Sequence, residues 1–67
     1  MDYIERMEQE LKELTEKGTK LDKAIRELEG LSADQLGLMY AQLYFMNSCA
    51  DILSRRIELA KKLRKDN

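Results

Sequence analysis

Residues 29–36 read Glu29-Gly30-Leu31-Ser32-Ala33-Asp34-Gln35-Leu36, and this short stretch decides how the chain folds. Gly30 suits the position just past a helix end, where a positive φ closes the last turn and glycine adopts it without steric cost. Ser32 and Gln35 have the spacing of a capping box: the serine hydroxyl accepts from the Gln35 N–H, and the Gln35 side chain reaches back to the Ser32 N–H. Leu31 and Leu36 occupy the two positions of a hydrophobic staple. One helix is therefore predicted to end near Glu29 and another to begin near Ala33. A turn of residues 30–32 is so short that the two must run back antiparallel.

Working outward from the turn, each flank carries a strict heptad seam. The first reads Ile4, Met7, Leu11, Leu14, Gly18, Leu21, Ile25, Leu28, and the second reads Leu36, Met39, Leu43, Met46, Ala50, Leu53, Ile57, Ala60. Steps alternating three and four residues keep each set on one stripe of a helix, the pattern that packs against another helix. The predicted architecture is all-α: one domain over residues 1–67, with a helix at about 2–29 and a second at about 33–64. Four acid-first pairs support a solvated face on the first helix: Glu8–Lys12, Glu13–Lys17, Glu16–Lys20 and Asp22–Arg26. Gly18 is the weak point of that helix, because glycine in a helix interior costs roughly 1 kcal/mol relative to alanine.

The second helix carries a further apolar row beside its seam: Leu38, Ala41, Phe45, Cys49, Ile52, Leu59 and Leu63. A single partner helix cannot cover both rows. The expected cover is a second copy, giving a helical-bundle homo-oligomer with Leu38, Phe45, Cys49, Ile52 and Leu59 at its interface. Size points the same way. A chain of 67 residues buries too little surface to be robust alone, and small folds compensate with disulfides, a metal, assembly or very regular packing. One cysteine and no histidine leave no internal disulfide and no ordinary zinc site. Cys49, in its apolar setting, is expected to be a buried and inert thiol.

Composition narrows the class of partner. The net charge of −1 argues against general nucleic-acid binding. Residues 1–30 carry nine acids and six bases, while residues 31–67 carry four acids and six bases, all of the latter between Arg55 and Lys65. Acids early in one helix and bases late in the other complement the helix dipoles and lie side by side in a hairpin. The basic end could alternatively bind phosphates, though it lacks interleaved aromatics. The opening segment has no signal-peptide core, and the uncharged stretch from Gln35 to Ala50 is too short and polar to span a bilayer. The expectation is a cytoplasmic protein with no membrane partner.

No glycine-rich phosphate loop, nucleophile set or metal-ligand spacing is present, so the chain reads as non-enzymatic, with no catalytic residues, metal or cofactor. One row on the second helix does resemble a ligand site: Tyr40, Tyr44, Asn47 and Asp51, with Arg55 a turn further on and Arg56 beside it. Tyrosines stack on bases, Asn and Asp pair with base edges or ribose hydroxyls, and arginine grips phosphate. The alternative is that the tyrosines rim an oligomer interface, with Asn47 fixing register and Asp51 paired to an arginine.

The segments DYIERMEQELKELTEKGTKLDKAI, LSADQLGLMYAQLYFMNSCADIL and RRIELA resemble small helical-hairpin proteins of tailed bacteriophages, including relatives in crAss-like phages. The matching positions are Tyr3, Arg6 and Glu10, then Ser32 and Gln35, then Gln42, Leu43 and Met46. A weaker similarity links the chain to the anti-CBASS sponges, small helical phage proteins that assemble and hold cyclic oligonucleotides between subunits. It departs from them at Met46, which is followed by Ala50 where the sponges carry an arginine. These resemblances imply a phage accessory protein acting in the infected bacterial cytoplasm. Three roles fit: sequestering a cyclic nucleotide signal in a homo-oligomer, inhibiting a host defence protein, or serving as a structural scaffold.

Overall fold

The computed structural model describes residues 2–65, which form two helices, α1 over Tyr3–Glu27 and α2 over Ala33–Lys65. They pack against each other as a hairpin measuring 55 × 17 × 13 Å. The turn closes as its residues dictate. Ser32 N–H donates to Gln35 Oε1 at 2.9 Å, and Gln35 N–H donates to Ser32 Oγ at 3.1 Å. Gly30 takes φ 77°, the one positive φ among the described residues.

The first helix ends at Glu27, two residues before the expected Glu29. Leu28 is already extended at φ −74°, ψ 134°, although its N–H still donates to the Ala24 carbonyl at 2.9 Å. Gly30 thus serves the reversal between helices rather than the last helical turn, and Leu28 falls off the stripe and is half-exposed. At the other end Asp2 is the cap, not the first helical residue. Its Oδ1 accepts from the Glu5 N–H at 2.8 Å, and this bond, with the Arg64 guanidinium nearby, holds the carboxyl below its usual range. A depressed folded pKa means that the cap's contribution is present above the unfolded value and is lost as pH falls through the folded one.

The core is small and lies on the two seams. Ile4 and Met7 of α1 bury against Leu53 and Ile57 of α2, with Leu11 and Ala60 packed beside them, while Ile25 is buried nearer the turn. The other seam residues of α2 are partly exposed, and among the described residues no large side chain is completely buried. Across the open end, Lys61 Nζ lies 3.2 Å from Glu8 Oε2 and Arg64 Nη2 lies 3.5 Å from Asp2 Oδ2. Glu8 therefore leaves its expected helical partner Lys12 for the opposite helix. Of the four acid-first pairs, only Asp22–Arg26 closes, at 2.9 Å.

Gly18 does not interrupt α1. It is buried where the helices approach, yet a Cβ added there would lie 3.8 Å from Asn47 Oδ1 and 3.9 Å from Leu43 Cδ1, ordinary contact distances. Space and helix propensity therefore agree, and Gly18→Ala should raise stability by about 1 kcal/mol. Thermal denaturation followed by circular dichroism checks this. A lowered midpoint would mean that the helices need a closer approach than a methyl allows.

Candidate functional site

A continuous 33-residue helix fixes where each candidate side chain points. At 100° per residue, Tyr40, Tyr44, Asp51 and Arg55 share one face of α2. That face is displaced from the seam, so the hairpin leaves Tyr40 and Tyr44 mostly exposed. Arg55 Nε lies 3.2 Å from Asp51 Oδ2, one turn back, with both side chains largely in solvent. The Tyr44 ring meets Phe45 edge-on, with centroids 5.6 Å apart and planes at 77°. This contact ties the polar aromatic row to the apolar row behind it.

Two residues of the expected site sit apart from this group. Asn47 is on the margin of the row nearest the seam, beside Gly18 of α1, in a groove of about 370 Å³ that also takes in Thr15 and Asp22. It is exposed rather than buried, so its amide carries no desolvation cost within one chain. Arg56 points the other way. Its Nη2 donates to Tyr3 Oη at 2.8 Å, because adjacent helical residues diverge by 100°. Arg55 and Arg56 therefore cannot grip one phosphate group from the same side.

Arg56 instead borders a second groove between the helices, of about 410 Å³, with Glu10, Glu13, Lys17, Cys49 and Ile52 on its walls. Sequence reading did not anticipate it. The signal was present once the antiparallel register is known, since pairing Ile4 with Leu53 and Ile57 brings Tyr3 to Arg56 and Lys17 towards Cys49. Cys49 corrects another expectation: in the single hairpin it is an exposed free thiol, not a buried one. The seam covers only one side of α2, and Cys49 sits beside it on the wall of this open groove, where no side chain of α1 closes over it.

The apolar row is likewise uncovered. Leu38, Phe45, Ile52, Leu59 and Leu63 are all mostly exposed, as expected for side chains facing away from α1. Among the described residues, no group of three His, Cys, Asp or Glu side chains could hold a metal, and no helix is long and apolar enough to cross a membrane. The Tyr40–Arg55 row offers stacking surfaces and the exposed cation Arg55, and a long apolar face lies beside it. Both grooves remain open to solvent.

A protein-family model described as Sequestin matches residues 1–59. That span covers α1, the turn, the Tyr40–Arg55 row and all four residues of the main core. No curated protein and no solved structure matches the chain.

Proposed function

The chain belongs to the Sequestin family, and from that membership we propose that it is a non-catalytic sequestering protein that holds a cyclic nucleotide signal within a homo-oligomer. The observation that carries the ligand class is the exposed Tyr40–Tyr44–Asp51–Arg55 row, which the hairpin does not use for its own packing. Tyrosine faces stack on bases of any identity, each such contact worth about 1–3 kcal/mol. Arg55 is held only by an exposed ion pair, worth about 0–1 kcal/mol. A phosphate, which accepts a bidentate arginine, displaces Asp51 from it at little cost. Asp51 is then free to accept from a ribose hydroxyl, and Asn47 borders the same row for base edges. Arg56 reaches a ligand only from the opposite groove, so it acts on a different side of the helix.

Sequestration requires enclosure, because a tightly held small molecule buries most of its surface. One hairpin has only open grooves, and a second copy supplies the missing wall. The resemblance to phage hairpins supports a counter-defence role in the infected bacterial cytoplasm. Native mass spectrometry and calorimetry with cyclic di- and trinucleotides test the reading. The wild type should gain mass in steps of one nucleotide, and Tyr44→Ala with Arg55→Ala should weaken binding at least about 30-fold, given roughly 1–3 kcal/mol per stacked base. Unchanged affinity in a folded double variant would remove these residues from the site.

The exposed apolar face of α2 favours a second reading, inhibition of a host defence protein by direct docking. An oligomer that binds no nucleotide but captures one defined host protein would replace the first proposal with this one.

A further inference from the structure

The uncovered face of α2 has an order of its own. Leu38, Phe45, Ile52 and Leu59 stand seven residues apart, a second heptad stripe on the side of α2 away from α1. They are 74%, 66%, 58% and 58% exposed, so the hairpin itself makes little use of them. The chain exposes 5534 Å² at 7.9 kDa, where a compact monomer of that mass exposes about 4,400 Å². The excess, on the order of 1,000 Å², is comparable to the ~800 Å² that each partner contributes to a standard stable interface. A regular heptad stripe selects another helix as its cover.

The spacing also fixes how a second copy lies on it. Leu38 and Leu59 are symmetric about the point between Ser48 and Cys49, and so are Phe45 and Ile52. An antiparallel copy of α2 placed on a two-fold axis there sets Leu38 against Leu59 of its mate and Phe45 against Ile52. Small side chains, Ser48 and Cys49, then fall at the crossing point, where two helices come closest. Charge decides between the two directions. Residues 55–65 carry six bases and only Glu58 as an acid, whereas residues 27–35 carry Glu27, Glu29 and Asp34 and no base. Antiparallel pairing lays the basic end of each hairpin beside the acidic turn of the other. Parallel pairing sets base on base and acid on acid.

We propose that two hairpins associate back to back through the Leu38–Phe45–Ile52–Leu59 stripe of α2, antiparallel, about a two-fold axis at Ser48 and Cys49. This deepens the self-association in the reading above and is independent of what the assembly binds. The pairing is isologous, so each copy gives and receives the same contacts and the stripe closes on itself. The Tyr40–Tyr44–Arg55 row borders the seam between copies, held to it by the Tyr44–Phe45 contact.

Cross-linking of the full chain tests this. Copper-phenanthroline oxidation of the wild type should move most of it to twice the chain mass on a non-reducing gel, through Cys49. In a Cys49→Ser background, Leu38→Cys mixed with Leu59→Cys should cross-link, while Leu38→Cys alone should not. The control is sedimentation velocity of the unoxidised wild type. An oligomer in which Leu38→Cys cross-links to itself, or in which neither Cys49 nor the mixed pair cross-links, overturns this geometry and leaves self-association standing. A monomer at about 100 μM overturns both. Loss of nucleotide binding with the cross-links intact would overturn the ligand reading alone.

Discussion

Ile57→Ala should melt most of the hairpin. Ile57 is only 6% exposed and belongs to a cluster of four buried residues, with Ile4, Met7 and Leu53. Removing its outer carbons loses their transfer free energy and opens a cavity between two helices that have few other contacts to close around it, a combination that costs about 2–5 kcal/mol. A domain of this length is stable by about 3–10 kcal/mol in all, taking roughly 0.05–0.15 kcal/mol per residue. The thermal midpoint should fall by at least about 10 °C, at about 4–8 °C per kcal/mol for a domain this small. Leu59→Ala is the internal comparison: same helix, two residues on, similar apolar volume, but mostly exposed in the hairpin. At dilutions where the chain is monomeric it should move the midpoint by only a few degrees. Equal effects of the two changes would mean that Ile57 does not hold the core.

Phe45→Asp should separate assembly from folding. Phe45 lies midway along α2, and α1 leaves it 66% exposed, so an aspartate there remains in water in the single hairpin. In the back-to-back pair the same carboxylate would be buried twice, against Ile52 of the mate, while Arg56, which lines the groove beside Ile52, is already engaged with Tyr3. A buried, unpaired charge costs several kcal/mol after relaxation, more than an interface of this size holds in surplus. Sedimentation should show a monomer across the micromolar range, weakened by at least about 100-fold for a cost near 3 kcal/mol. Circular dichroism should still show a helical chain. If the variant instead loses helicity, the hairpin depends on its partner for stability and the two processes are one. An unchanged oligomer would place the interface elsewhere.

Much of this molecule was legible in its residues, and the rest was hidden for identifiable reasons. Ser32 and Gln35 act locally, so the capping box follows from sequence and appears as expected, whereas α1 stops at Glu27 and leaves Gly30 to the reversal. The seams also hold, apart from Leu28 beyond the end of α1, because a spacing of three and four residues is a property of the helix itself. Side chains with a choice of partner behaved differently. Glu8 has Lys12 one turn away and Lys61 across the hairpin, and it takes Lys61 at 3.2 Å. Both are surface pairs of similar small worth, so spacing alone could not rank them. Arg56 adjoins Arg55 in sequence but turns to Tyr3, an assignment that needs the register between helices. Cys49 was misread for a third reason. Its row is apolar, which signals burial, but nothing in one chain provides the cover. The candidate ligand row was legible as a set of types on one face, while the separation of Asn47 and Arg56 from it emerged only in three dimensions.

The placement of the core at the open end of the hairpin has a consequence for how the chain finds its fold. Ile4 and Met7 meet Leu53 and Ile57 across nearly the full length of intervening sequence, so the most buried contacts close the longest loop. The turn, by contrast, is pre-organised by its capping box yet has little beneath it but Ile25. Nucleation at the turn is therefore cheap but weakly rewarded, and stability arrives only when the zipper has run to the far end. Such a chain tends towards all-or-none behaviour, in which half a hairpin is scarcely better than none. A pair of hairpins laid end over end would soften that requirement, since the clamped end of each copy would lie beside the loose turn of the other.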